Sequence, residues 1–257
     1  MIKPYAGFIS GKVADKFDWT ERLFSLRIRG MFSPYIAGQF VKLALYDEQG
    51  ELIRRAYSIV NHPNDFEQTN ELEFLIIADA TGQLSPRLQQ LQIGDDILIS
   101  DTAAGFMTLD EIPHAASELW LLSTGTAIGP YLAMLDQPEI SQRFEKIILV
   151  NATRTQAEQS YPEKIQEFKA KFGARFTYVP VISRESVRGA LSGRIPLLLE
   201  SGSLFQAAGC QPDSSSCFFY LCGNPAMVKE SSESLNKLGF TKHLRRKPGQ
   251  FSSENYW

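Results

Sequence analysis

Between Phe8 and Ser100 the apolar positions recur every second residue in short segments. Phe8-Ile9-Ser10-Gly11-Lys12-Val13 and Leu23-Phe24-Ser25-Leu26-Arg27-Ile28 read this way, as do Phe40 to Tyr46, Tyr57 to Val60, Leu72 to Ala78 and Asp96 to Ser100. A spacing of two is that of a strand with one buried face, and such segments punctuated by Gly, Pro, Asn and Asp predict a closed antiparallel β-barrel. One helix interrupts the series, with Ser85 placed as its cap and Pro86 at its first position.

Beyond Pro113 the alternation stops. Leu119 to Leu122 is a continuous apolar strand, followed by a glycine-containing turn and a helix over Tyr131 to Leu135. Strands at Ile147 to Val150, Phe176 to Val181 and Phe218 to Cys222 then alternate with helices at Pro162 to Phe172, Ile195 to Leu199 and Pro225 to Leu238. Unalternating strands, each followed by a helix, predict a parallel sheet covered on both faces, that is, a doubly wound α/β domain. The polar, proline-broken stretch Asp110-Glu111-Ile112-Pro113-His114 sets the expected domains at 1–112 and 113–257.

Composition narrows the function. The chain has 257 residues, of which 44% are apolar and 21% charged, and a net charge of -3. Nucleic-acid binders need a broad cationic surface to displace counterions, so that class is excluded as an expectation. The longest apolar runs, such as Glu73 to Ala80, have strand length and cannot span a bilayer. The N-terminal Met1-Ile2-Lys3-Pro4-Tyr5 has no signal-peptide core. Three cysteines (Cys210, Cys217, Cys222) and three scattered histidines fit neither a disulfide framework nor a metal site. A cytoplasmic protein without a metal is expected.

Several motifs carry candidate chemistry. Gly125-Thr126-Ala127-Ile128-Gly129-Pro130 follows the first parallel strand, where small residues let an anion or a ring approach a helix start. The same residues also fit an ordinary tight turn. The second parallel strand runs out at Val150-Asn151-Ala152-Thr153-Arg154, an arginine standing where a ribose-binding carboxylate is usual. With Arg184 and Arg194 after the third strand, the set favours NADP over NAD, because a guanidinium grips a 2′-phosphate through charge-assisted bonds. Each arginine taken singly also fits a solvated surface position.

Arg55-Ala56-Tyr57-Ser58 could hold a phosphate, a planar ring and a ring nitrogen, or be a half-buried strand with a basic edge. Gly82-Gln83-Leu84-Ser85-Pro86 opens a helix whose N–H groups suit a pyrophosphate. Cys222-Gly223-Asn224-Pro225 ends the last long strand at the edge where α/β sheets bind ligands, although a buried cysteine is also commonly structural. The terminal Glu254-Asn255-Tyr256-Trp257 puts two aromatics beside a carboxylate, a composition for docking rather than fraying.

Taken in order, these motifs, with Ala37-Gly38-Gln39-Phe40 and Thr241 to Arg246, resemble the ferredoxin–NADP reductase family over essentially the whole chain. The Tyr-Trp ending and Ala127 are similar to its bacterial flavodoxin/ferredoxin branch of enterobacterial type, whereas plant-type members have glycine in place of Ala127 and end in tyrosine. The resemblance implies an FAD-binding barrel followed by an NADP-binding α/β domain. It assigns Tyr57 and Tyr256 to the two faces of the flavin and Ser58 to its N5. Arg55 falls at the pyrophosphate, with Ala56 and the backbone of Gly82, Gln83, Leu84 and Ser85. Thr126 lies close to the cofactor and Trp257 reaches the adenine. Arg154, Arg184 and Arg194 take the 2′-phosphate of NADP, Gly223 and Asn224 line the nucleotide, and Cys222 and Glu254 line the nicotinamide.

The implied chemistry is hydride transfer from the nicotinamide C4 of NADPH to the flavin N5, then single-electron transfer to a ferredoxin or flavodoxin. Ser58, Cys222, Glu254 and Tyr256 are the implied catalytic residues, with Tyr256 shifting to admit the nicotinamide. The expected protein is a monomer that docks an acidic carrier transiently. Lys242, Arg245, Arg246 and Lys247 form the densest basic run and offer a docking face, or simply a solvated charge run. Three other readings share parts of this pattern: an electron-transfer flavoprotein subunit, the reductase component of an oxygenase, and an NADP sensor without flavin. The cysteine spacing argues against the iron–sulfur cluster expected of the first.

Overall fold

The fold described is a computed structural model covering residues 2–244 and 246–256. The chain separates into two units, Met1–Thr108 with Gly129–Asp136, and Leu109–Ile128 with Gln137–Trp257.

Six antiparallel strands build the first unit: β1 (Phe8–Asp18), β2 (Leu23–Arg29), β3 (Phe40–Tyr46), β4 (Leu52–Ser58), β5 (Glu71–Ile77) and β6 (Asp96–Ser100). Their order is β4-β3-β6-β1-β2-β5. The predicted antiparallel barrel is what forms, and its seam is closed by the residues that follow β4. The Val60 N–H donates to the Glu73 carbonyl at 2.9 Å. The Asn61 amide continues the pairing, accepting from the Glu73 N–H at 2.8 Å and donating to the Glu71 carbonyl at 2.9 Å. A side-chain amide here takes the place of a strand peptide, which is how the edge groups of β5 find partners. Phe24, Leu26, Ile28, Phe74 and Ile99, all fully buried or nearly so, form the core inside it.

Three helices belong to this unit: α1 (Pro63–Thr69), α2 (Ser85–Gln90) and α3 (Gly129–Asp136). The sequence predicted α2 and, over Tyr131 to Leu135, α3, but not α1. Helix α1 escaped because its cap is an imidazole: His62 Nδ1 accepts from the Asn64 N–H at 3.1 Å, a role that hydroxyl- and carboxylate-based rules do not anticipate. The predicted cap of α2 is corrected too. Ser85 is already inside the helix and Leu84 precedes it without a side-chain cap. The Ser85 hydroxyl instead accepts from the Asp79 N–H at 3.1 Å, closing the turn that leads in. In α3, a Cβ on Gly129 would lie 2.9 Å from Val60 Cγ2, so a larger residue there would have to displace the stiff valine side chain.

The second unit is the predicted parallel sheet. Its strands are β7 (Glu118–Thr124), β8 (Lys146–Thr153), β9 (Phe176–Ile182), β10 (Leu191–Ser192), β11 (Cys217–Gly223) and β12 (Phe251–Asn255), in the order β10-β9-β8-β7-β11-β12. Every pairing is parallel. Helices α4 (Pro138–Arg143), α5 (Pro162–Phe172), α6 (Ile195–Glu200), α7 (Ser203–Ala208) and α8 (Pro225–Lys237) accompany it. The unbroken apolar runs of β7 and β11 are buried along almost their whole length, as two covered faces require. Trp120 anchors this core, stacked on Phe219 with ring centroids 5.4 Å apart and edge-on to Phe205 at 5.5 Å.

Strand β12 was expected only as a docked tail. Its sequence Phe-Ser-Ser-Glu-Asn carries one apolar residue, Phe251, and it becomes a strand by pairing with β11 rather than by any pattern of its own. The segment entering β7 is held by Arg143, whose guanidinium donates to the carbonyls of Leu109, Ile112 and Pro113 at 3.0, 2.6 and 2.8 Å.

Candidate functional site

Because all six strands of the second unit run the same way, their C-terminal ends share one edge. From β7 the chain proceeds outward through β8, β9 and β10 on one side, while β11 and β12 lie on the other. The sheet therefore reverses its order between β7 and β11, and the crevice outside that point is where open α/β sheets bind ligands.

The residues at this point are shaped by one glycine. Gly223 ends β11 with φ +137°, and a Cβ there would lie 2.0 Å from Thr124 Oγ1 and 3.0 Å from the Thr124 nitrogen. That same Thr124 hydroxyl accepts from the Asn224 N–H at 2.9 Å, so it is locked against the glycine. Asn224 then caps α8, its Oδ1 accepting from the Ala226 and Met227 N–H groups at 2.9 and 3.4 Å. The Gly223 carbonyl accepts from the Tyr256 N–H at 3.0 Å, which ties the end of the chain to this edge. Gly125, with φ +56°, turns the chain out of β7 into a short 3-10 turn that buries Thr126 and Ala127.

Cys222 pairs in register with Ser123 on one side and Glu254 on the other. Its burial, with Glu254 as a second cause, holds the thiol well above 9.0, so it stays neutral. Burial also raises the Glu254 carboxyl above its ordinary value of 4.5. A raised carboxyl opposes folding only when ionised. Its penalty is absent below the ordinary value and grows as pH rises through the raised one. Glu254→Gln should therefore be increasingly stabilising relative to wild type as pH is raised from 4.5 towards neutrality. Thermal melts across that range test this; a wild-type-to-variant difference in Tm that does not change with pH rejects the assignment.

The arginines stand farther along the same edge. The exits of β8 and β9 remain paired for one step beyond the strands, with the Ser183 N–H on the Thr153 carbonyl at 3.0 Å and the Arg184 N–H on the Arg154 carbonyl at 2.9 Å. Arg154 and Arg184 thus sit on bonded neighbours, both exposed, with no carboxylate partner for either guanidinium among the described residues. Arg194 follows β10 at the same edge but its guanidinium faces Glu230 at 3.5 Å. The structure brings the first two predicted arginines together and leaves the third in an exposed ion pair.

In the first unit, β4 carries Arg55, Ala56, Tyr57 and Ser58, paired with Leu43, Lys42, Val41 and Phe40. Arg55 and Tyr57, two apart, share one face. Arg55 is exposed, donating to the Arg54 carbonyl at 2.8 Å, and Ser58 is 5% exposed. Tyr57 packs against the barrel core, and burial, partly offset by Arg55, pushes its phenol up to about 12, so it remains a donor. Gly82, Gln83 and Leu84 lie in the connection from β5 to α2, and Ser85 is the first residue of α2. Leu84 is a core residue at 1% exposure and presents only its backbone to any ligand. Trp257 and Arg245 lie outside the described residues.

Sequence reasoning missed Thr124, the residue that presses on Gly223. It also missed Glu158 and Glu185, whose carboxylates accept from the Arg154 N–H at 2.9 Å and the Gln156 N–H at 2.7 Å. A carboxylate beside an arginine reads as a surface charge pair, and nothing local announces that its partner is a main-chain N–H.

Known proteins agree with this arrangement. Residues 13–105 match the oxidoreductase FAD-binding domain and residues 121–233 the oxidoreductase NAD-binding domain. The chain is 42% identical, over 98% of its length and 100% of the relative's, to a flavodoxin/ferredoxin–NADP reductase of Escherichia coli (strain K12). It is 33% identical to a ferredoxin–NADP reductase of Azotobacter vinelandii, covering 95% of each chain. A crystal structure of a ferredoxin NADP+ reductase from Neisseria gonorrhoeae with bound FAD and NADP superposes with a TM-score of 0.90 at 32% identity, covering 98% of this chain and 100% of that one. Barrel, parallel sheet, the glycine-shaped crevice and full-length likeness agree, and the chain belongs to the flavodoxin/ferredoxin–NADP reductase family.

Proposed function

We propose that the protein is an FAD-dependent reductase that passes electrons between NADP(H) and a ferredoxin or flavodoxin. The observation that carries this reading is the bonded pair of exits bearing Arg154 and Arg184, two unclaimed guanidiniums at the binding edge of the sheet. Such a donor set suits a nucleotide with a 2′-phosphate.

The residues fit both cofactors. Arg55, with no carboxylate partner among the described residues, is free to hold a pyrophosphate, joined by Ala56 and the backbone of Gly82, Gln83, Leu84 and Ser85. Tyr57 offers a ring and Ser58 a hydroxyl to the flavin, and Thr126, Tyr256 and Trp257 complete its set. Gly223, Asn224 and Arg194 join Arg154 and Arg184 around NADP. When bound, FAD supplies a two-electron acceptor for the nicotinamide and a one-electron donor for the carrier. The chain's part is to orient and to exclude water. Cys222, neutral and 0% exposed, puts a small uncharged surface beside the nicotinamide. Glu254, with its raised carboxyl, holds a proton there more readily than an exposed glutamate.

Lys242, Arg246 and Lys247 are exposed and form the docking face for an acidic carrier, which arrives by charge attraction and leaves readily. The working protein is a monomer of the cytoplasm, a compartment that suits its three free thiols. No helix among the described residues is long and apolar enough to cross a membrane. The deciding experiment is the visible spectrum of purified protein before and after anaerobic NADPH. A bound yellow flavin, bleached by NADPH and restored by oxidised ferredoxin or flavodoxin, is expected. A folded, colourless protein that takes up no FAD ends the proposal.

A further inference from the structure

The loop that carries Arg154 also carries a contradiction of charge. Two carboxylates, Glu158 on that loop and the exposed Glu185 on the β9 exit, stand beside the proposed phosphate site, where an anion opposes the ligand. Their geometry resolves it. Glu158 Oε2 accepts from the Arg154 N–H at 2.9 Å, closing the loop on itself. Glu185 Oε2 reaches across from the β9 exit to accept from the Gln156 N–H at 2.7 Å.

Glu185 makes the second half of a staple. The Arg184 N–H donates across to the Arg154 carbonyl at 2.9 Å, and two residues farther on the bond runs the other way, from Gln156 to Glu185. The ends of the loop are otherwise secured. The Gln159 amide donates to the Asn151 carbonyl at 3.2 Å and to Thr153 Oγ1 at 2.8 Å, and the Tyr178 hydroxyl donates to Gln159. Among the described residues, the middle of the loop has one hydrogen bond to another segment, and Glu185 makes it.

We infer that Glu185 is a positioning residue that sets 2′-phosphate specificity, by stapling the Arg154 loop to the Arg184 loop through the Gln156 N–H. This rests on the reading of those arginines as a 2′-phosphate pocket. Glu185 need not touch the nucleotide. It fixes the distance between two long, flexible cations, so that less ordering remains to be done on binding. Its negative charge works against the phosphate, and its hydrogen bond works for it.

Those two effects separate in two variants of the holoenzyme. Calorimetry with adenosine 2′,5′-bisphosphate and with adenosine 5′-monophosphate reads them without turnover. In Glu185→Ala the staple is lost, and bisphosphate binding should weaken about three- to tenfold while the monophosphate is unchanged. In Glu185→Gln the amide oxygen keeps the acceptor and the opposing charge is gone, so the bisphosphate should bind at least as tightly as to wild type. Glu185→Ala binding the bisphosphate undiminished, both nucleotides weakening alike, or Glu185→Gln proving as weak as alanine, each overturns the inference. Arg154→Ala measured alongside locates the failure. If it abolishes the preference for the bisphosphate while Glu185→Ala keeps it, the staple alone is wrong. If Arg154→Ala changes nothing, the pocket reading falls and the staple with it.

Discussion

Replacing Gly223 by alanine will destabilise the second unit by about 3 kcal/mol, combining left-handed backbone strain with overpacking. The added Cβ would lie 2.0 Å from Thr124 Oγ1, and φ at this residue is +137°. Thr124 has little room to yield, because turning its hydroxyl away breaks the 2.9 Å bond from the Asn224 N–H, just before the residue's own role as cap of α8. The Tyr256 N–H is bonded to the Gly223 carbonyl, so the chain end will loosen as well. For a unit of this size the loss corresponds to a fall in Tm of roughly 6–12 °C. Adding Thr124→Ala should restore part of it: the hydroxyl clash disappears, while the Thr124 nitrogen still lies 3.0 Å from the new carbon and φ is still wrong. Differential scanning calorimetry on the single and double variants measures this. A Gly223→Ala protein melting within a degree or two of wild type would show that the crevice does not need a glycine.

Arg154→Ala should lower kcat/KM for NADPH about 30-fold, the equivalent of roughly 2 kcal/mol for one charge-assisted contact to a phosphate. NADH, which has no 2′-phosphate, should be used within about twofold of wild type, since the contact it lacks cannot be lost. The effect should fall on KM rather than kcat, because the phosphate contact is the same in ground and transition states. Adding Arg184→Ala should do less than the sum of the singles, as the two arginines stand on loops bonded to one another and share a ligand. Initial rates with both nucleotides, using a dye acceptor so that carrier docking plays no part, test the prediction. Equal losses for NADH and NADPH would mean that Arg154 holds the loop and not the phosphate.

The carriers of the fold were legible because they are local. Alternation marked the barrel strands except β4, which it set at Tyr57 to Val60 and which runs Leu52–Ser58, and unbroken apolar runs marked β7, β8 and β11, since a strand's periodicity reports how many of its faces are covered. Helix α5 was placed at Pro162 to Phe172 from its own amphipathic spacing and proline start. The arginine at the exit of β8 could likewise be read, as the absence of a carboxylate at a known place in a known unit.

What the chain does between distant segments could not be read from local pattern. Phe-Ser-Ser-Glu-Asn is a strand only because β11 is there to pair with it. Gly38 looks like any turn glycine, yet a Cβ on it would lie 1.9 Å from the Met107 carbonyl oxygen, 69 positions along the chain (107 − 38). The helix of residues 129–136 follows β7 in sequence and groups with the barrel unit in space. In each case the energy belongs to a pair of groups far apart along the chain, and composition and periodicity describe each member without its partner. By itself the sequence determined the elements that carry a pattern of their own and which cations stand at their ends; the tertiary structure decided the elements made by pairing and which ends are tied together, because hydrogen bonds and close approaches depend on distance in space.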